Sequence, residues 1–305
     1  MIALWSSHLY RQTVELVLAA LFSAGLFIFL FRKNNRHMAR GWASVQSWLF
    51  AAPVILFVLG LKPAWAMVCL TLAAIIGAKI FFQITGMYHR SNFVWACYIG
   101  LICLGITTYY SRLDLYNLMP MIFLSIICLI PILRNSAKHM IQYISLSLIA
   151  FMLLGWGFLH MGLLLVRPQG AYLVIYITIL SEFCDNIYLA ASSFGRVRLF
   201  HRIHSKRTLE GFLIGFVATM LLAWGLRQMS LHPQLPIYWI VSGLVAALAG
   251  SLGDLVLSII RRDLGIKDVG AFVLGRGDLL NGMDRLIFVA PIYYYAISYL
   301  DKVVR

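Results

Sequence analysis

Apolar runs of membrane-spanning length follow one another through almost the whole chain, and this restricts the fold more than any single motif does. About 20 mainly apolar residues carry an α-helix across a bilayer. Ten such segments occur, at about 12–31, 44–61, 64–84, 92–110, 116–133, 142–165, 170–191, 208–227, 236–260 and 279–299. The second and last are short or interrupted, so the pattern predicts nine or ten spans. Charged residues make up 12% of the chain, about half the share of a soluble domain, which excludes an ordinary cytosolic globule. With 62% hydrophobic residues, the chain is not disordered either. The expected fold is all-α, a polytopic integral membrane protein.

The loop charges test this segmentation. Connections after segments 1, 3, 5, 7 and 9 hold 16 Lys and Arg, whereas the opposite face, with both termini, holds 7. The positive-inside rule places the richer loops in the cytoplasm. A net charge of +14 is therefore read as membrane-flanking charge, and no nucleic-acid partner is expected. Lys79 interrupts segment 3 and reads as a side chain snorkelling toward the headgroups. The five cysteines, Cys69, Cys97, Cys103, Cys128 and Cys184, lie in apolar runs without CxxC spacing, so neither a disulfide frame nor a zinc site is indicated. No cleavable signal peptide is expected, because the first apolar run is long enough to span and lacks an A-x-A exit.

Acidic residues are distributed differently. Eight of the eleven fall between 182 and 284: Glu182, Asp185, Glu210, Asp254, Asp263, Asp268, Asp278 and Asp284. Ionisable groups within a bilayer are costly and mark polar cavities. One membrane domain is expected, with residues 1–169 as scaffold and 170–305 carrying the chemistry. Glu182 and Asp185 are three residues apart, which puts both carboxylates on one helix face and suggests a cation or substrate cavity with Asp185 as a catalytic candidate. Asp254 follows Gly250 and Gly253, with Ser258 one turn on, and these glycines permit close approach of a ligand or second helix. Residues 261–285 then read RRDLGIKDVGAFVLGRGDLLNGMDR. Glycines let a backbone approach phosphate, and Arg and Lys supply charge.

This stretch and the helix before it resemble the signature of the CDP-diacylglycerol synthases, the phosphatidate cytidylyltransferases: G-D, then S-x-x-K-R-x4-K-D-x-G-x3-P-G-H-G-G-x2-D-R-x-D. Without a gap, Gly253, Asp254, Ser258, Arg262, Lys267, Asp268, Gly270, Gly275, Gly277 and Asp284 match, and Arg261 stands for the lysine. A second family segment, S-P-x-K-T-x-E-G, is similar to His204 through Gly211, with Arg207 for the lysine and Thr208, Glu210 and Gly211 matching. The signature departs at Leu274, Arg276, Asp278, Asn281 and Gly282.

The resemblance implies transfer of a cytidylyl group from CTP to phosphatidate, giving CDP-diacylglycerol and pyrophosphate, at a site facing the cytoplasm from a bacterial inner membrane. It implies catalytic roles for Arg262, Lys267 and Asp268, and substrate contacts from Arg207, Thr208, Glu210, Ser258, Arg261 and Arg276. Mg²⁺ would be held by Asp254 and Asp284 with Asn281 and Asp278. A homodimer is compatible with this reading. The carboxylate lost at Asn281 and the guanidinium lost at Gly282 have neighbours three residues away, Asp278 and Arg285, which could replace them if 278–285 form the first turns of the last helix. Two other classes would use the same residues: a family homologue without activity that binds an anionic lipid or partner, and an anion transporter. Asp254→Ala is expected to abolish cytidylyltransferase turnover while leaving membrane insertion intact. Unchanged turnover of the purified variant would favour the binding protein.

Overall fold

A computed structural model of the chain describes residues 4–31, 36–135, 138–199, 207–263 and 283–304. Ten long helices run through these residues: α1 (His8–Phe31), α2 (Arg36–Gly60), α3 (Pro63–Ile84), α4 (Ser91–Tyr109), α5 (Leu113–Leu133), α6 (Met140–Leu165), α7 (Gly170–Ser192), α8 (Leu209–Gly225), α9 (Pro236–Asp263) and α10 (Leu286–Val304). They correspond one to one with the ten apolar segments. Seven are long and apolar enough to cross a bilayer, while the apolar part of α2 (Val45–Gly60) and α8 are shorter. The protein is an all-α polytopic membrane protein. Two ends differ from the sequence expectation. Helix α2 begins before its apolar run, in the basic stretch at Arg36, and α10 begins only at Leu286.

Burial divides the helices by role. Helix α1 packs mainly on α2, and its outer face carries exposed Leu9, Leu16, Phe22 and Leu26. Such a surface suits the apolar interior of a bilayer. The second half of α6 is different: every residue from Phe158 to Leu165 is buried. Helix α6 contains a π-helical stretch, Phe151–Gly157, of the kind that lets a helix absorb an extra residue. A Cβ at Gly157 would meet the Ile287 carbonyl oxygen at 2.7 Å, so this glycine admits the backbone of α10. Helix α7 packs on α8, α9 and α10, α9 packs on α8 and α10, and α6 packs on α7 and α10. Lys79 is exposed on α3, in keeping with a snorkelling side chain.

The contact between α9 and the approach to α10 is equally close. A Cβ at Gly253 would overlap the carbonyl oxygen of Asp284, and one at Gly250 would lie 3.0 Å from Ser181 Oγ. The glycines before Asp254 therefore serve helix approach, and they bring the two ends of the signature together. Because the obstacle at Gly253 is backbone, it cannot swing aside. Gly253→Ala should cost about 1–3 kcal/mol by overpacking, read as a lowered thermal midpoint in detergent, whereas Gly225→Ala, with open space around it, should leave the midpoint nearly unchanged.

Candidate functional site

Asp185, two turns before the end of α7, is buried, and each of its oxygens is taken by an arginine. Arg207 Nη2 lies 2.7 Å from Oδ1, and Arg285 Nη2 lies 2.7 Å from Oδ2. Arg207 also pairs with Asp254 Oδ2 from α9 and stacks its guanidinium 4.5 Å over the Tyr188 ring. Arg285 reaches Glu182 Oε2 at 2.5 Å, and its backbone N–H donates to Asp284 Oδ1 at 2.7 Å. Glu182 Oε2 accepts a further hydrogen bond, 3.1 Å, from Trp48 Nε1 of α2. One connected network thus joins α2, α7, α9 and the turns before α8 and α10. Arg207 is 2% exposed and Arg285 8%, so these are desolvated pairs whose geometry is fixed by mutual need.

The K-T-x-E-G-like segment explains how Arg207 is aimed inward. Thr208 is extended and caps α8, its Oγ1 accepting from Gly211 N at 3.2 Å. The Glu210 carboxylate accepts from the backbone N–H groups of Arg196 (3.0 Å) and Val197 (3.1 Å). Short pairing of Leu199 with Arg207 and of Leu209 with Val197 closes the turn. A Cβ at Gly211 would collide with Ser192 Oγ, so only glycine lets α8 start against the end of α7. Thr208 and Glu210, expected to contact substrate, both hold the turn that presents Arg207. Arg207 itself, also expected to contact substrate, is enclosed between Asp185 and Asp254.

Other expected residues are placed as follows. Ser258 is half-buried one turn beyond Asp254, and Arg262 is exposed near the end of α9. The side chain of Arg261 lies outside the described residues, as do Lys267, Asp268, Arg276, Asp278 and Asn281. Arg285 sits in a turn before α10 rather than within its first helical turns, so the premise of a continuous helix is not met at its described end. The sequence reading also missed Trp48. A tryptophan within an apolar span carries no signal that its N–H meets a carboxylate 134 residues away.

Between α7, α9 and Arg285 lies a tight cleft, walled by Ser181, Cys184, Asp185, Arg207, Gly250 and Arg285, whose side chains leave no room for a water molecule. Three polar atoms on or beside the cleft, Ser181 Oγ, Arg207 Nε and Arg285 Nε, are buried without a hydrogen-bond partner among the described residues. Of the residues expected to hold Mg²⁺, Asp254 is paired with Arg207 and Asp284 lies beside Arg285, whereas Asp278 and Asn281 lie outside the described residues; among the described residues no three His, Cys, Asp or Glu are grouped to hold a metal ion.

A buried network of acids and arginines thus joins the two ends of the signature inside a bundle of apolar helices. The chain belongs to the cytidylyltransferase family, whose model matches residues 42–300. Over 157 residues it is 36% identical to an uncharacterised Escherichia coli protein, YnbB, covering 47% of this chain and 52% of that protein. It is 32% identical over 111 residues to a Bacillus subtilis phosphatidate cytidylyltransferase, covering 36% of this chain and 41% of the relative. A Synechocystis enzyme of the same name is 32% identical over 148 residues, with 46% and 49% covered. The chain thus spans about half the length of the curated relatives it matches.

Removing Arg207 would leave Asp185 and Asp254 facing each other in a dry cluster. Arg207→Ala should destabilise the protein by about 3–5 kcal/mol, seen as a large drop in thermal midpoint in detergent. Restoring a cation with Arg207→Lys should recover part of that loss.

Proposed function

We propose that this chain transfers a cytidylyl group from CTP to phosphatidate, yielding CDP-diacylglycerol and pyrophosphate, with a site that faces the cytoplasm. The observation that carries the reading is the meeting of Asp254 and Asp284, thirty residues apart in the signature, with Asp185 and two arginines in one buried network. The matched family model and the two relatives named phosphatidate cytidylyltransferases support the same chemistry.

The reaction asks two things of the protein. A phosphate oxygen of the lipid attacks the α-phosphorus of CTP; the new P–O bond forms as the bond from the α-phosphorus to the oxygen bridging to the β-phosphorus breaks, and its electron pair leaves with pyrophosphate. Catalysis of such a step consists mainly of alignment and of neutralising charge on the phosphates. Arg207 and Arg285 supply fixed positive charge in a low-dielectric cluster, where it acts most strongly. Asp185 holds both arginines in place, so its proposed part is positioning rather than proton transfer. The lipid reaches the site from the bilayer in which α7 and α9 sit, and the nucleotide approaches from the side of the basic loops, which the charge asymmetry assigns to the cytoplasm.

A second reading is favoured by one observation. Asp254, one of the carboxylates expected to hold a metal, is paired with the Arg207 guanidinium, which suits a homologue that binds anionic lipid without turnover. One assay separates the two. Purified protein in detergent, supplied with CTP and phosphatidate over a Mg²⁺ series, should release pyrophosphate only when both substrates are present. Lipid binding without pyrophosphate release at any Mg²⁺ concentration would replace the transferase with the binding protein.

A further inference from the structure

We infer that Asp301 is the hub of an acid-strengthened clasp at the far end of α10, with His232 as its pH-sensitive member. The inference is independent of the proposed reaction. Asp301 lies sixteen residues after Arg285, about 24 Å along a helix, so this cluster stands at the opposite end of α10 from the Asp185 network. Four parts of the chain meet at its carboxylate. The Arg167 guanidinium, from the turn between α6 and α7, lies 3.4 Å from Asp301 Oδ2. It also donates to Ser298 Oγ and sits 4.7 Å over the Tyr294 ring, both of α10. Asp301 Oδ1 accepts a 2.9 Å hydrogen bond from the Tyr238 hydroxyl of α9 and faces His232 Nε2, of the connection between α8 and α9, at 3.6 Å. The His232 ring stands edge-on to Tyr238, with centroids 4.8 Å apart. Arg227, on the same connection, is turned away onto Trp224, and Lys302 is exposed.

Within this cluster only a histidine changes charge between about pH 5 and 8; aspartate, arginine and tyrosine keep theirs over that range. A neutral imidazole at 3.6 Å from a carboxylate oxygen is beyond hydrogen-bond reach and adds little. A protonated one brings a second cation to Asp301, on the oxygen that Arg167 does not use. Its attraction to Asp301 is direct, whereas its repulsion from Arg167 acts across the carboxylate, so the added charge tightens the cluster. The tightening is present on the acid side and is lost as pH rises and the imidazole gives up its proton. The side chain of His232 is 33% exposed and that of Asp301 21%, so solvent screening holds the effect to that of a surface ion pair. Its placement gives it reach. The clasp fastens α10 to α9 and to the turn before α7, and the opposite end of α10 adjoins Asp284 and Arg285 of the buried network.

A double-mutant cycle on purified protein in detergent isolates this pair from every other histidine. Thermal midpoints are measured for the parent, His232→Gln, Asp301→Asn and the double variant, at about pH 5.5 and about pH 8. At the acid pH the losses of the two single variants should together exceed the loss of the double variant by about 1–2 °C. At the alkaline pH that excess should vanish. Hydrogen exchange supplies the location. At the acid pH the amides in the last turns of α10 should exchange about twofold faster in His232→Gln than in the parent, and at the alkaline pH the two proteins should agree. If Asp301→Asn does not fold, the exchange comparison of His232→Gln with the parent decides alone. A coupling of equal size at the two pH values, or absent from both, overturns the inference, as does exchange at the end of α10 that is indifferent to His232 at the acid pH.

Discussion

Asp185 is one carboxylate gripped by two arginines inside a membrane bundle, and the arrangement around it follows from the cost of leaving any of these charges alone. An unpaired ion in a low-dielectric interior is several kcal/mol unfavourable. Once Asp185 is buried in α7, Arg207 and Arg285 must reach it, from the turns before α8 and α10. Asp254 and Glu182 complete the pairing on either side. The helices carrying these residues are thereby held in one relative arrangement, which apolar packing against lipid alone would not specify.

The family motifs take on different meanings in this light. Thr208, Glu210 and Gly211 look like substrate residues in a linear motif, yet they act as a helix cap, an acceptor for loop amides and a space for helix contact. Their combined effect is to aim Arg207. Gly253 likewise acts through what it lacks, since the absence of a side chain lets Asp254, paired with Arg207, and Asp284, beside Arg285, approach one network. Chemistry and architecture are therefore carried by neighbouring residues of the same short motif, with the charged member facing the cleft and its neighbours building the turn.

How much could be read in advance depends on the range of the interaction concerned. Ten helices were legible because the requirement for about 20 apolar residues is local and leaves a continuous trace. The convergence of Asp254 with Asp284 was legible through resemblance to a family signature, and the shared face of Glu182 and Asp185 through helix periodicity. The start of α10 at Leu286 was not legible, because Leu279, Leu280 and Met283 carry apolar character upstream across the mostly polar stretch 281–285, and hydropathy alone marks no boundary there. Nor was the role of Trp48, whose indole N–H bonds across helices from a span that otherwise reads as scaffold.

The sequence by itself determined that this chain is an all-α membrane protein, that its charges concentrate toward the C-terminal third, and that it resembles the phosphatidate cytidylyltransferases. Each of these is written in residue types and short spacings. Only the tertiary structure decided which charges meet: that Arg207 is enclosed and not exposed, that Asp185 is shared, and that Glu182 is the partner of Arg285 a hundred residues further on. A carboxylate and a guanidinium carry no label for one another in a sequence. Their pairing is fixed only when helices packed through glycine contacts bring them into the same dry space, where neither can remain alone.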